Sequence, residues 1–184
     1  MIRKIMNKND TLEKLRRTEL LLEISRKIAG LQSLEKILWT LIEFVSDELD
    51  ADRGTLFLND EDTNELYSRI AQGDLTREIR ILNNVGIAGA IFQSQVGEVI
   101  HDVYEDARFN KEVDQETGYK TKNMICCPVK TVGGKIIGVI QVLNKKKGRF
   151  TKDNLLFAES ISTQAAVSIQ NAQNTEKFQK KREK

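Results

Sequence analysis

Two glycines, Gly86 and Gly89, open an apolar stretch that is typical of a short helix. The first backbone N–H groups of a helix have no acceptor within it, and they lie at the positive end of its dipole. A helix that begins at Gly86 could therefore bind a phosphate. The stretch lacks the Gly-Lys-Ser/Thr of a Walker loop, and the two glycines would also suit an ordinary helix-start turn. The residues alone leave both interpretations open.

A long polar segment, Tyr104–Lys122, follows in the sequence. Loops of this length inside a compact domain are commonly lids or binding loops. An apolar or small residue recurs about every fourth position, which predicts short helical turns. We interpret the segment as a lid over a small molecule, with Asp114, Thr117 and Thr121 able to meet polar edges of a ligand. The alternative is a surface excursion in which these side chains cap local turns.

Three further polar residues, Thr55, Gln72 and Gln141, fall on predicted strands or at their ends. Gln141 interrupts an otherwise apolar run, and a buried amide requires a hydrogen-bond partner from the protein or from a ligand. His101 follows an apolar run and has no nucleophile or carboxylate beside it in the pattern of a catalytic group. We therefore predict neither a catalytic residue nor a metal site.

The remaining pattern predicts helices near both termini and strands between them. Ser33 can cap a helix that begins at Leu34, after a first helix from Thr11 to Gly30. Strands are predicted over 53–58, 65–71, 78–82, 98–100, 124–130 and 135–143, with a short helix over 87–95. We expect an α+β arrangement in which an antiparallel sheet carries both terminal helices on one face and segment 86–122 on the other.

The last helix is longer than such a sheet requires. A helix over residues 153–182 would span about 45 Å. This surplus predicts a projection into a dimer or towards a downstream domain.

Composition narrows the class of protein. The chain has 184 residues, a net charge of +2, 40% hydrophobic residues and two cysteines. This near balance of charge does not indicate a nucleic-acid partner, and no apolar run is long enough to span a membrane. Cys126 and Cys127 are adjacent and would point to opposite faces of a strand, so we expect free thiols in the reducing cytoplasm.

Four segments, 86–89, 106–114, 117–126 and 138–145, closely resemble GAF domains. They look most like the regulatory GAF domains of cyclic-nucleotide phosphodiesterases and cyanobacterial adenylate cyclases, and the resemblance covers roughly residues 20–173. It implies the GAF (PAS-like) fold, with a central antiparallel sheet of about six strands. It also implies N- and C-terminal helices on one face, a ligand pocket on the other, and dimers built through the terminal helices.

The resemblance also implies a site for cAMP or cGMP. The backbone amides of Ile87 and Ala88, together with Asn110, match positions that hold the cyclic phosphate. The predicted ligand-binding residues are Thr55, Ala71, Gln72, Ile87, Ala88, Phe109, Asn110, Val113, Asp114, Thr117, Thr121 and Gln141. Ala71, Gln72 and Gln141 differ from the phenylalanine, aspartate and glutamate of a cGMP-binding member, which favours cAMP slightly.

A structural signature of the family is altered in this sequence. Asn144, Lys145 and Phe150 match it, but its Asp-Glu positions hold Asn154 and Leu155. Asp153 lies one place early. The family's Lys–Asp contact ties the sheet to the last helix, so either Asp153 substitutes by a small shift or the tie is lost.

We therefore expect a non-enzymatic, small-molecule-sensing GAF domain over residues 20–173. Residues 1–19 would be a linker helix, and residues 174–184 a helical extension towards an effector domain or a dimer partner. The domain would bind a cyclic nucleotide, without any other cofactor, and relay the change through its terminal helices. The alternative is a GAF domain that binds no nucleotide and serves as a dimerisation and signal-relay module. In that case Phe109, Tyr119 or Gln72 would fill the pocket.

Overall fold

A six-stranded antiparallel sheet forms the centre of the molecule. The computed structural model describes residues 8–73 and 78–182, with the backbone alone for residues 8–10, 117 and 175–182. The strands are β1 (Ala51–Asp60), β2 (Glu65–Ala71), β3 (Arg80–Leu82), β4 (Glu98–Ile100), β5 (Met124–Lys130) and β6 (Ile136–Lys145). Their order across the sheet is β3-β2-β1-β6-β5-β4.

The two central strands, β1 and β6, carry apolar side chains on both faces. In β6, Val139 packs with one core and the adjacent Ile140 with the other. Gly138 is required where the two strands meet, because a Cβ there would collide with the carbonyl oxygen of Phe57. The sheet therefore separates two apolar layers.

Three helices cover one face of the sheet: α1 (Lys8–Ala29), α2 (Leu34–Glu48) and α5 (Lys152–Arg182). Ser33 caps α2 by accepting a hydrogen bond from the backbone N–H of Lys36. Side chains from all three helices, including Ile24, Leu41 and Ile161, pack with the sheet in the larger core.

Two short helices lie along the other face: α3 (Gly86–Ser94) and α4 (Lys111–Thr117). Phe57, Ile91 and Cys126 belong to the smaller core on this side. Cys127 belongs to the larger core, so the adjacent cysteines point to opposite faces, and both are free.

The predicted fold class is confirmed: an α+β fold with six antiparallel strands and both terminal helices on one face. Segment 8–19 of the predicted linker belongs to α1, and residues 174–182 continue α5. Residues 1–7 and 183–184 of the two predicted extensions lie outside the described ranges. Across the described helices, none combines the length and apolarity needed to cross a bilayer.

Candidate functional site

A cavity lies between the sheet and the layer formed by α3, α4 and the chain that follows α4. Its volume is about 820 Å³ when the solvent at its mouth is included. Its lining comprises Arg53, Thr55, Phe57, Gln72, Ile79, Ile81, Val85, Gly86, Ile87, Ala88, Phe109, Asn110, Val113, Asp114, Tyr119, Thr121, Met124, Gln141 and Leu143.

Most of the predicted ligand-binding residues line this cavity, from β1, β6, α3 and α4. Ala71 does not; it lies opposite Thr55 in the β1–β2 ladder. Thr117 ends α4, and its side chain lies outside the described part of the structure. Within residues 8–73 and 78–182, no cluster of His, Cys, Asp or Glu is arranged to hold a metal ion.

The N-terminus of α3 forms part of the cavity wall. Its N-cap residue, Val85, provides no side-chain hydrogen bond, and the first intrahelical bond runs from the N–H of Gly89 to the carbonyl of Val85. The N–H groups of Gly86, Ile87 and Ala88 therefore have no acceptor within the helix. Gly86 has a φ of +73°, a conformation that favours glycine. This turn leaves a positive helix end uncovered at the cavity.

The floor of the cavity carries polar groups with few protein partners. Thr55 is 6% exposed, and its hydroxyl is open to the cavity without a protein partner in the described ranges, where every fully buried side-chain N or O has one. The Nε2 of Gln141 contacts the Sδ of Met124 at 3.7 Å, a weak acceptor. The Oε1 of Gln72 accepts hydrogen bonds from the N–H of Gly54 at 2.6 Å and from the Oγ of Ser46 at 2.9 Å. The free hydroxyl and amide groups can bond to a polar ligand.

Helix α4 forms a lid that its own side chains hold closed. Asn110 caps it by accepting from the N–H of Glu112, and Gly118 ends it in the left-handed conformation. The buried carboxylate of Asp114 accepts from the N–H and the Oγ1 of Thr121, each at 2.7 Å, and from the Tyr104 hydroxyl at 3.0 Å. Asp114 therefore connects α4 to the chain before it, at Tyr104, and to the chain after it, at Thr121.

A second set of ionic bonds fixes the base of the lid to the sheet edge. The guanidinium of Arg108 contacts the carboxylates of Glu98 on β4 and of Asp106, each at 2.7 Å. The hydrogen bonds from Arg108 lower the pKa of both carboxyl groups, against the opposing effect of burial.

Arg53 and Tyr119 stack on each other in the cavity wall, and sequence analysis missed Arg53. Its guanidinium lies 3.9 Å from the ring centroid of Tyr119, a cation–π contact. The Tyr119 hydroxyl donates to Asp52 at 2.7 Å. Burial first, and then this bond, raises the pKa of Tyr119. Arg53 shares the cavity face of β1 with Thr55 and Phe57, so the alternation of strand residues was the signal that could have found it.

The signature residues hold the segment that returns from the lid. Asn144, in the left-handed conformation, accepts from the N–H of Lys122 and donates to the Tyr119 hydroxyl at 2.9 Å. The ammonium of Lys145 donates to the carbonyl of Leu49 at 2.6 Å. Phe150 is buried in the larger core. Asp153 is exposed, so in this structure Lys145 ties the sheet to the end of α2 and not to a carboxylate on α5.

Two further features concern whether protein side chains fill the cavity and whether a cysteine near it is reactive. Phe109, Tyr119 and Gln72 lie in the wall of the cavity. Cys126 belongs to the smaller core and does not line the cavity, and burial raises the pKa of its thiol to about 12. A thiol with that pKa remains protonated at neutral pH and is a poor nucleophile.

Comparison with known proteins identifies the family. The model of the GAF domain family matches residues 33–169. The chain belongs to the GAF family. Among solved structures, this GAF domain is similar to the GAF domain of a phosphoenolpyruvate-protein phosphotransferase from Coxiella burnetii. The TM-score is 0.79 at 17% identity, over 88% of this chain and 96% of that one. That likeness supports the fold alone.

Curated relatives are more similar in sequence. The GAF domain is 31% identical over 177 residues to a probable 3',5'-cyclic phosphodiesterase of Caenorhabditis elegans, covering 89% of this chain and 24% of the relative. It is 33% identical over 186 residues to a dual 3',5'-cyclic-AMP and -GMP phosphodiesterase of Drosophila melanogaster, covering 91% of this chain and 13% of the relative. The chain thus spans about a quarter or less of the length of these relatives.

Proposed function

We propose that this GAF domain is a regulatory module that binds a 3',5'-cyclic nucleotide in the cavity between the sheet and the lid. The observation that carries the proposal is the uncapped start of α3 in the cavity wall. Its free N–H groups suit the anionic cyclic phosphate. The unpaired hydroxyl of Thr55 and the amide of Gln141 provide hydrogen bonds for the purine or ribose. Asp114 and Thr121 hold the lid that would cover the ligand.

The relatives support the same class of ligand. Their names describe enzymes that act on 3',5'-cyclic nucleotides, including cGMP-specific members. By analogy, this domain would serve a signalling protein in which binding is relayed to an effector domain elsewhere. We place the module at residues 20–173, in the cytoplasm, where the free thiols of Cys126 and Cys127 would stay reduced.

For the base, we propose a slight preference for cAMP over cGMP. Guanine presents two adjacent donors, N1–H and N2–H2, which a carboxylate accepts best. Asp114 is the one carboxylate in the described cavity lining, and three donors already bond to it. On the cavity floor, the hydroxyl of Thr55 and the amide of Gln141 can bond to the mixed donor and acceptor edge of adenine, and the NH2 group of Gln72 can donate to one of its ring nitrogens.

Titration calorimetry with cAMP, cGMP and adenosine tests the proposal. We expect micromolar or tighter binding of a cyclic nucleotide and much weaker binding of adenosine, which has no phosphate for α3. Absence of heat and of a thermal shift at millimolar cyclic nucleotide would refute it.

Substitution of Val85 tests where the phosphate lies. Val85 is 41% exposed and has the extended backbone of an N-cap residue. Aspartate there would accept a hydrogen bond from the first turn, stabilising the helix by about 0.5–2 kcal/mol. It would also place a negative charge where the phosphate binds. We expect Val85→Asp to raise the melting temperature and weaken cyclic-nucleotide binding at least about tenfold, or about 1.4 kcal/mol.

Val85→Asn is the matched control, since it offers the same cap without the charge. It should stabilise the fold and weaken binding less than Val85→Asp. Equal affinity in the wild type and Val85→Asp would move the phosphate away from α3.

One observation favours a second function, in which the domain acts as a dimerisation and relay module without a nucleotide. Leu12, Leu15 and Leu22 on α1 are more than half exposed, as expected of an unfilled helix interface. A dimer that forms while calorimetry detects no nucleotide would support this alternative.

A further inference from the structure

Gln72 connects the cavity to the helical layer on the opposite face of the sheet. It lines the cavity, yet its Oε1 accepts a hydrogen bond from Ser46 on α2. The same oxygen accepts from the backbone N–H of Gly54 at 2.6 Å. A backbone N–H can only donate, so turning the amide over would set two donors against each other. The orientation of the Gln72 amide is therefore fixed.

The contact between α2 and β1 depends on the small size of Gly54. A Cβ at Gly54 would lie 2.6 Å from both the Oγ of Ser46 and the Cγ2 of Ile42. Without that Cβ, α2 lies close enough to β1 for the Ser46 hydroxyl to reach Gln72. Ser46 is 2% exposed, so water does not compete for this bond.

The Nε2 of Gln72 is left without a protein acceptor within residues 8–73 and 78–182. The N–H of Gly54 holds the oxygen, and the Ser46 hydroxyl shares its one proton between that oxygen and the carbonyl of Ile42 at 2.8 Å. The NH2 group is therefore the part of the amide that can serve a ligand. The site then presents a donor at Gln72, where a freely rotating amide would offer a donor or an acceptor.

We propose that Ser46 is a positioning residue for the ligand, acting through Gln72 from the opposite side of the sheet. It selects ligands that carry a hydrogen-bond acceptor, such as a purine ring nitrogen or a carbonyl oxygen, next to Gln72. Because Ser46 belongs to α2, ligand affinity also depends on the position of that helix. This inference rests on the proposed function for the identity of the ligand.

A double-mutant cycle with Ser46→Ala and Gln72→Leu tests the inference, with cAMP and cGMP affinities measured by calorimetry. We expect Ser46→Ala to weaken binding about threefold to tenfold, the value of one hydrogen bond. In the Gln72→Leu background the same substitution should have no effect, because the group that it positions is gone. A role in stability alone would give additive effects.

Ser168→Ala is the matched control. The Ser168 hydroxyl also donates to the carbonyl four residues earlier, as that of Ser46 does, but it has no bond to the cavity. Its loss should leave both affinities unchanged. Thermal denaturation establishes that each variant is folded, and Gln72→Met replaces Gln72→Leu if the latter is not.

A ligand-free measurement separates this inference from the proposed function. The side-chain amide resonances of Gln72 in the NMR spectrum should shift in Ser46→Ala and not in Ser168→Ala. If the wild type binds neither nucleotide, the proposed function fails, while this shift still decides whether Ser46 positions Gln72. Unchanged resonances, or additive effects in a chain that does bind, would overturn the inference.

Discussion

The polar residues of the cavity differ in how far the protein itself satisfies them. All the bonds of Asp114 go to Thr121 and Tyr104, whereas the Thr55 hydroxyl has no protein partner in the described ranges. Since every fully buried side-chain N or O of the described residues has a partner, the Thr55 hydroxyl is open to the cavity and available to a ligand. Affinity is therefore expected to come from the floor and from α3, while Asp114 maintains the lid.

Gln72→Glu is predicted to change base preference. One carboxylate oxygen would keep the bonds from Gly54 and Ser46, and the other would offer an acceptor where the amide offered a donor. The N1–H and N2–H2 donors of guanine suit that acceptor. The added charge repels the phosphate of both nucleotides alike. The ratio of cGMP to cAMP affinity should therefore rise about tenfold, or about 1.4 kcal/mol.

Calorimetry with both nucleotides measures this ratio. Gln170→Glu is the matched control, because it adds the same charge on α5, where Gln170 contacts the N–H of Val132. An unchanged ratio in a folded Gln72→Glu protein would show that Gln72 does not contact the base.

Individual site residues could be predicted from the sequence only where their residue type broke or began a regular apolar pattern. Gln141 interrupts an apolar strand, and Gly86 precedes an apolar helix, so both were predicted from type and spacing. The bonds of Asp114 to Thr121 and Tyr104 depend on how the lid folds back, which spacing does not determine. The role of Ser46 could not be predicted either, because it requires α2 to approach β1 at Gly54.

The closure of the lid depends on the hydrogen bonds to Asp114. Thr121→Val keeps the shape of the side chain and removes the hydroxyl that donates to Asp114 at 2.7 Å. The backbone N–H of residue 121 can still donate. A buried bond to a charged group contributes about 1.5–3 kcal/mol, and we expect a loss of that size in urea denaturation.

Hydrogen exchange locates the effect of this substitution. Amides over residues 111–121 should exchange faster in Thr121→Val, and those of β1 and β6 should not. Thr163→Val, at an exposed helix position, is the control and should leave both the free energy of unfolding and the exchange of these amides unchanged. Equal exchange in the wild type and Thr121→Val would mean that other contacts hold the lid.

The base of the lid should be sensitive to acid. Because Arg108 lowers the pKa of Glu98 and Asp106, these carboxylates stabilise the folded state above their ordinary titration range near pH 4. That stabilisation is lost as pH falls through the lowered folded-state values. Glu98→Gln should therefore destabilise the protein at pH 7 by about 0.2–1 kcal/mol, typical of partly exposed ion pairs.

Urea denaturation of the wild type and of Glu98→Gln between pH 7 and pH 3 tests the predicted direction of this stability difference. The difference between the two proteins should shrink below pH 4, because the wild-type carboxyl group then becomes neutral as well. A difference that grows on acidification would contradict the assigned role of Arg108.

At the scale of elements, the sequence was most informative where periodicity was strong. The start of α2 and the bounds of β2, β4 and β5 agree with the predicted ranges, because a cap, turns and apolar runs mark them. Strand β3 begins at Arg80, two residues later than predicted. The contact of Lys145 with Leu49 was not predicted, since it depends on where α2 ends relative to β6.

The sheet divides the molecule into a side that holds the cavity and a side covered by the terminal helices. Helices α2 and α5 pack on the sheet with buried side chains, and Ile24 fixes the second half of α1 to the same core. Leu12, Leu15 and Leu22 of α1 remain exposed to solvent. The relay that we propose would therefore run from the cavity through the sheet into these helices, with Ser46 on one such path.

We predict that the chain forms a homodimer through α1. Leu15 and Leu22 are 55% and 56% exposed and lie seven residues apart, on one side of the helix. Burying a leucine contributes about 1.5–3 kcal/mol, so a double substitution by lysine should favour the monomer strongly.

Light scattering after size-exclusion chromatography, at several protein concentrations, measures the mass of the wild type and of Leu15→Lys/Leu22→Lys. Leu82→Lys, on β3 and 53% exposed, is the control and should remain dimeric. A wild type that is monomeric at all concentrations would contradict the prediction and leave the exposed leucines to a different partner.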